Sequence, residues 1–351
     1  MFHSMTDGAH IPQKATVRLR VARVIEETKD ARSIVFAVPP ELGDAFRYRA
    51  GQFLTLFVPV GGVTLKRCYS LASAPGVDAE HKVTVKRVDG GRVSNVLVGG
   101  LREGDHVEVE PPAGRFVLAE GTAPIALFGG GSGITPLISI MKAALATSDR
   151  KVSLFYANRD AASVIFQREL DELAARYPDR LSIRHWLDDR DGRVSVEAIV
   201  PGPEGAHHYL CGPAPFMDAV ESQLGRLGVP SSHVHVERFV SPADPVPAGA
   251  GAHSSGGDVP ARVGVEHESI NTEVPYAEGQ TLLEAALAAG IDAPYSCRDG
   301  FCGCCAALLL EGKVTMAADD ALTPEAKKKG LILACQARPT TKACRIRFVE
   351  Y

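Results

Sequence analysis

The chain has 351 residues, too many for one ordinary core and enough for two or three domains of about 100–150 residues each. Apolar residues make up 45% and charged residues 23%, a globular balance that excludes a disordered or fibrous chain. The net charge of −4, from 38 basic and 42 acidic side chains, leaves no basic footprint for a phosphate backbone, so nucleic acid is not an expected partner.

The N-terminal MFHSMTDGAHIPQ lacks both the basic-then-apolar order of a secretory signal and an Arg-rich amphipathic pattern. No run approaches the roughly 18 apolar residues of a membrane helix. A cytoplasmic protein without membrane contact is expected. From Thr16 to about Leu118, short runs such as VRLRV, RSIVFAV, QFLTLFV, KVTVKRV and HVEVE alternate apolar with polar residues between Gly and Pro breaks. That period of two predicts an antiparallel barrel or sandwich, a first domain over 14–120. Within it, Arg67-Cys68-Tyr69-Ser70 ends a strand and Gly91-Arg92-Val93-Ser94-Asn95 opens a short helix. An Arg fork neutralises a pyrophosphate, an aromatic ring stacks on a flat cofactor, and a hydroxyl hydrogen-bonds beside it. On its own, RCYS reads equally well as a strand with one exposed Arg.

At Pro124 the pattern changes to apolar strands (IALF, VSLFYA, LSIRHWL, HHYLC) alternating with helical stretches at 136–146, 163–176 and 214–227. Such repetition predicts a parallel α/β sheet, a second domain over 121–240. After IALF comes Gly129-Gly130-Gly131-Ser132-Gly133-Ile134-Thr135-Pro136. Glycines at a strand-to-helix turn admit a pyrophosphate to the positive helix end, although the run departs from the usual dinucleotide fingerprint. Asn158-Arg159-Asp160 follows the next strand. Its Arg suits a 2′-phosphate and its Asp a free ribose hydroxyl, so the motif leaves the choice of nucleotide open. Cys211-Gly212-Pro213 closes a later strand, and Phe239 is either a lid over a cofactor or an ordinary packed residue. His207, His208, His233 and His235 suit a solvated or packed face better than a metal site.

Residues 241–261, with four prolines, four glycines and no apolar period, have the composition of a flexible linker. Beyond it, 262–351 read as a small α+β unit with strands RVGVE, AALLLEG and CRIRFV and a helix at 280–289. Cys297, Cys302 and Cys305 form C-x4-C-x2-C, and Cys335 follows 30 residues later. This is the plant-type [2Fe-2S] spacing, in which one tight loop wraps three thiolates and a distant segment supplies the fourth. Zinc would call for a second separated pair of ligands, which is absent from the sequence. Cys304 and Cys344 are read as small packing residues.

R-x-Y-S, G-x-x-S-N, GGGSGITP and CGP, in that order over residues 16–240, resemble the ferredoxin-NADP reductase superfamily. With the cysteine loop behind them, the chain is similar to the C-terminal-ferredoxin reductases of multicomponent oxygenases. The resemblance implies a multidomain fold: an antiparallel β-barrel FAD domain, a parallel α/β nucleotide domain and an α+β β-grasp ferredoxin domain. It implies that Arg67, Cys68, Tyr69, Ser70, Val85 and Lys86 serve the flavin site, with Gly91, Val93 and Ser94 at the FAD pyrophosphate. Gly131, Ser132, Gly133, Thr135, Pro136, Asn158, Arg159, Asp160, Gly212 and Pro213 would hold the nicotinamide nucleotide. Ser70 and Cys211 would stand at the reacting centre.

Through RCYSLAS, YANRD, CGPAPFM and GLILACQARP the likeness is greatest to reductases serving steroid hydroxylation, then to those serving phenylacetyl-CoA epoxygenation. Phthalate-type reductases share the ferredoxin domain but hold FMN. The expectation is therefore a monomeric reductase passing electrons from NADH to FAD to [2Fe-2S] to a terminal, Rieske-type oxygenase. The alternatives are an NADPH-dependent reductase of an epoxygenase or a self-sufficient reductase of a small acceptor.

Overall fold

Alternation shapes the first strand: along β1 (Val17–Thr28) Leu19 and Val21 are buried while Arg18 and Arg20 face solvent. The computed structural model describes residues 16–239, 259–267, 270–295, 298, 300, 302–319, 321–322 and 324–349. These fall into two units, Thr16–Phe239 and a second that holds the described residues from 259 onward. Among the described residues, no helix is long and apolar enough to cross a membrane.

In the first unit, β1 joins β2 (Ala31–Ala37), β3 (Phe53–Val60), β4 (Val63–Ser70), β5 (His81–Lys86) and β6 (His106–Ala113) in the order β4-β3-β6-β1-β2-β5. Every pairing is antiparallel. A bridge between Leu71 and Val83 brings the two outer strands together, so the sheet closes as a barrel rather than splitting into a sandwich. Helix α1 (Arg92–Gly100) follows β5 and buries Val93, Leu97 and Val98 in the barrel core.

The parallel sheet comprises β7 (Ile125–Gly130), β8 (Val152–Asn158), β9 (Leu181–Leu187), β10 (His207–Cys211) and β11 (Val234–Glu237), ordered β11-β10-β7-β8-β9. Helices α2 (Ile134–Thr147) and α3 (Gln167–Arg176) cover one face. Short α4 (Asp188–Asp191) follows β9, and α5 (Ala214–Arg226) packs Met217, Val220 and Leu224 on the other face. Central β7 is buried along its whole length, which is why its sequence is an unbroken apolar run. Because β8 and β10 flank β7 while its neighbours in sequence run outward on either side, the strand order reverses there. Ligands of such sheets sit at the C-terminal strand ends of that reversal.

Barrel and parallel sheet are clamped through a buried cation. Lys142, only 3% exposed on α2, places Nζ 2.6 Å from Asp78 of the barrel and 2.6 Å from Glu169 of α3. Lys82 of β5 meets the same Glu169 at 2.9 Å. Burial opposes the Glu169 charge, but the two lysines outweigh it and hold the carboxyl below its ordinary range. Ser139 on α2 adds a 2.6 Å hydrogen bond to the Ser73 carbonyl.

The second unit has β12 (Arg262–His267), β13 (Ile270–Pro275), β14 (Ala306–Glu311), β16 (Leu331–Leu333) and β18 (Arg345–Phe348) in one mixed sheet, ordered β13-β12-β18-β14-β16. Strands β15 (Val314–Met316) and β17 (Ala337–Pro339) pair separately. Helix α6 (Leu282–Ala288), opened by a Thr281–Glu284 capping box, buries Leu282, Leu283, Ala285 and Ala286 in this unit's core. A last short helix, α7 (Pro324–Lys328), precedes β16. Of the segment expected as linker, 241–258 lie outside the described residues, whereas Val259 packs against the core and Ala261 accepts a hydrogen bond from Tyr276 N–H.

Candidate functional site

The glycine turn leaves β7 at its C-terminal end and runs directly into α2. No side chain caps α2, although the Ile134 N–H at its start donates back to the Gly131 and Ser132 carbonyls and Pro136 carries no N–H. A Cβ on Gly133 would stand 2.0 Å from the Cys211 carbonyl oxygen, so only glycine fits where the turn meets the end of β10. Gly212 and Gly130 approach almost as tightly: a Cβ on Gly212 would lie 3.0 Å from Gly130 Cα. Buried Tyr156 on β8 donates its hydroxyl to the Gly131 carbonyl at 3.0 Å and supports the turn from below. Thr135 ties its hydroxyl to the Ser132 carbonyl at 3.1 Å.

Three distant segments meet beside this turn. Ser70 ends β4, Cys211 ends β10, and Glu237 ends β11; all three belong to the first unit. The Ser70 hydroxyl donates to Glu237 Oε2 at 3.4 Å, across 167 residues of sequence. Although Glu237 keeps some solvent contact, the protein packed around its carboxyl pushes its pKa up to about 8. Burial, and then the Glu237 charge, raise the Cys211 thiol well above its usual value. Sequence reasoning singled out Ser70 and Cys211 but not Glu237, whose only signal was its place beside Phe239. Phe239 itself lies just beyond β11 and is 46% exposed.

On the barrel, Arg67 and Tyr69 alternate along β4 ahead of Ser70, and the Arg67 guanidinium donates to the Lys66 carbonyl at 2.8 Å. Burial raises the Tyr69 phenol, so the ring presents a neutral face. The Cys68 thiol lies 3.5 Å from Thr55 Oγ1. Gly91 caps α1 without a side-chain bond, a second uncapped helix start, and Ser94 Oγ accepts from Val88 N–H at 3.1 Å. Val85 and Val93 bury their side chains in the barrel core, which leaves only their backbone to meet a cofactor. The two uncapped helix starts and the glycine cradle fit two pyrophosphates, one on each domain.

At the end of β8 the Asn158 amide is buried and, beyond an approach to the Tyr156 hydroxyl, makes no hydrogen bond. A polar group orphaned at the ligand end of a strand fits a nucleotide partner. Arg159 reaches Asp30 of the barrel at 3.0 Å. Asp160 instead accepts from Ser163 N–H at 2.8 Å and caps the turn that follows it. Away from this site, His207 and His235 hydrogen-bond at 3.0 Å at the opposite end of the sheet, and His208 stacks on Phe128.

In the second unit Cys305 and Cys335 hydrogen-bond to each other, and Cys302 adds to the electrostatic load on Cys305. That hydrogen bond, and then burial, push the Cys305 thiol well above its usual value. Gly300 adopts φ +82°, and a Cβ there would lie 2.9 Å from Gln336 Cγ. Gln336 in turn donates to the Arg298 carbonyl at 2.8 Å and to Cys335 Sγ at 3.6 Å, so it links the loop to the distant cysteine. The thiol donor set fits iron–sulfur coordination, with proton release on binding. Cys297 lies outside the described residues. Cys304 and Cys344 are buried, Cys344 in the core of this unit.

Barrel, nucleotide turn and thiol loop together define a flavin- and iron–sulfur-dependent oxidoreductase. Family models agree: an oxidoreductase FAD-binding domain matches residues 18–118, an oxidoreductase NAD-binding domain 127–222, and a 2Fe-2S iron-sulfur cluster binding domain 265–340. The chain is 47% identical to the ferredoxin reductase component of 3-ketosteroid-9-alpha-monooxygenase from Rhodococcus rhodochrous, over 95% of this chain and 97% of that one. It is 35% identical to one of the subunits of 1,2-phenylacetyl-CoA epoxidase from Escherichia coli K12, over 94% and 97%. Its fold matches phthalate dioxygenase reductase with a TM-score of 0.58 and 27% identity, over 95% and 98%. The chain belongs to the family of FAD-, NAD- and [2Fe-2S]-domain oxidoreductases that includes these ferredoxin reductase components.

Proposed function

We propose that the chain is the NADH-dependent reductase component of a Rieske-type oxygenase acting on a steroid. The 47% likeness to a 3-ketosteroid-9-alpha-monooxygenase reductase over nearly the whole chain is the observation that carries this reading. In it, the barrel would hold FAD, which supplies the change from a two-electron nicotinamide donor to single-electron steps, and Cys297, Cys302, Cys305 and Cys335 would hold the cluster that relays them.

The chain's own residues supply position and proton control. Arg67 and the first turn of α1 take the flavin pyrophosphate, with Tyr69 against the ring, while the Gly131–Gly133 turn and the first turn of α2 take that of the nucleotide. Gly133 seats the turn on the Cys211 carbonyl, so the nucleotide is aligned with the strand end that carries Cys211. With a pKa near 8, the Glu237 carboxyl holds its proton at neutral pH while its Oε2 accepts from the Ser70 hydroxyl. One exchangeable proton is thereby kept at the reacting centre without a buried negative charge.

The test is an anaerobic spectrum of the purified protein, followed by equimolar NADH or NADPH, and then turnover with a purified Rieske-type steroid oxygenase. Flavin and [2Fe-2S] bands, faster bleaching by NADH and hydroxylated steroid support the proposal. Faster bleaching by NADPH with no steroid product moves the reading to the phenylacetyl-CoA type, which the relative from Escherichia coli favours.

A further inference from the structure

Arg159 follows the strand whose end meets the adenosine ribose in sheets of this order, and its neighbour Asp160 is the acidic residue expected to meet a free 2′-hydroxyl. One oxygen of the Asp160 carboxylate caps the turn at Ser163 N–H, 2.8 Å away, while the Ser163 hydroxyl returns a bond to the Asp160 carbonyl. A second carboxylate holds Arg159 itself. Asp30, in the barrel turn between β1 and β2, lies 3.0 Å from Arg159 Nη2 and 4.0 Å from Lys86 Nζ. The Thr28 hydroxyl donates to it at 2.7 Å, and its side chain is only 19% exposed. Lys86 in turn reaches to 3.7 Å from where a Cβ on Gly131 would stand, so this cation, expected at the flavin, stands beside the glycine turn as well.

We propose that Asp30 is the residue that sets nucleotide preference, by occupying Arg159 and placing a fixed negative charge where a 2′-phosphate would bind. This rests on the reading that the Asn158–Asp160 segment meets the ribose. A 2′-phosphate must share Arg159 with a carboxylate that solvent screens only partly. A free 2′-hydroxyl is neutral and can donate to that same carboxylate. The acid that holds Arg159 thus comes from the barrel, 129 residues from the Arg it controls.

The test compares 2′,5′-ADP with 5′-AMP, which differ only by the 2′-phosphate, by calorimetry on flavin- and cluster-loaded wild type, Asp30→Asn, Asp30→Ser and Arg159→Ala, with kcat/KM for NADPH and NADH alongside. Releasing Lys86 strengthens both ligands through the 5′-phosphate they share, so the ratio between them isolates Arg159. In Asp30→Asn and Asp30→Ser, 2′,5′-ADP is expected to gain roughly fivefold to tenfold over 5′-AMP, and NADPH over NADH in parallel. Adding Arg159→Ala to either variant should abolish the gain. An unchanged ratio in both Asp30 variants, where Arg159→Ala still weakens 2′,5′-ADP, overturns the proposal and leaves the ribose placement standing. If Arg159→Ala affects neither ligand, the ribose placement falls and the proposal with it.

Discussion

The two redox sites are built on opposite principles. The cysteine loop is local: Cys302 and Cys305 stand three residues apart in one tight segment, and only Cys335 comes from elsewhere. The reductase site is assembled from afar, with Ser70, Cys211 and Glu237 arriving on three strand ends from two domains. A local site depends on the residues of its own loop. An assembled one depends on everything that fixes its parts relative to each other, so substitutions distant from the chemistry should damage the reductase site and spare the cluster.

Four substitutions test that contrast, in falling order of effect. Cys305→Ser should remove the [2Fe-2S] bands and iron and stop electron delivery to a protein acceptor, while nucleotide still bleaches the flavin; loss of flavin reduction in the same variant would show that the two sites are not separable. Gly133→Ala forces the glycine turn away from the Cys211 carbonyl, and a displacement on the order of 1 Å there should slow flavin reduction about a hundredfold in stopped flow, leaving the cluster spectrum intact. Lys142→Met leaves Asp78 and Glu169 without their shared cation and should lower the stability of the first unit by about 3 kcal/mol in chemical denaturation.

The smallest effect belongs to Glu237→Gln. The folded carboxyl titrates near 8 against an ordinary value of 4.5, so between these limits the folded state holds a proton that the unfolded chain has lost. Stability of the flavin-free protein should therefore be fully present below about pH 4.5 and fall as pH rises towards 8. The Gln variant should flatten that decline by an amount on the order of 1 kcal/mol across the window, once partial solvent contact is allowed for. Parallel curves would show that the carboxyl is not held protonated by the fold.

The contrast also explains what was legible in the sequence. Strands of the barrel announced themselves by alternation, the apolar β7 by its unbroken run, and the cysteine loop by spacing, because each signal lies within one element. Ser70 and Cys211 emerged only from the order of several motifs along the chain. Asp30 and Tyr156 gave no signal and Glu237 none beyond its place near Phe239, since each acquires its part through contacts between separate elements, 167 residues apart for Glu237 and 129 for Asp30. Asp160 shows the reverse: its position in the motif pointed to a ligand contact, and one oxygen of its carboxylate also closes a capping box that the motif did not announce. Val85 and Val93 were expected at the flavin, and since periodicity points their side chains into the core, any part they take there falls to their backbone.

The clamp at Lys142 bears on how these enzymes can be recombined. A nucleotide domain folded without this barrel would bury an ammonium with one of its two carboxylates missing, so the two domains should unfold in a single transition. A chimaera that grafts a foreign nucleotide domain onto this barrel would have to bring a cation to meet Asp78 and an acid to meet Lys82. The unit of exchange in this part of the chain is the pair of domains, not either one alone.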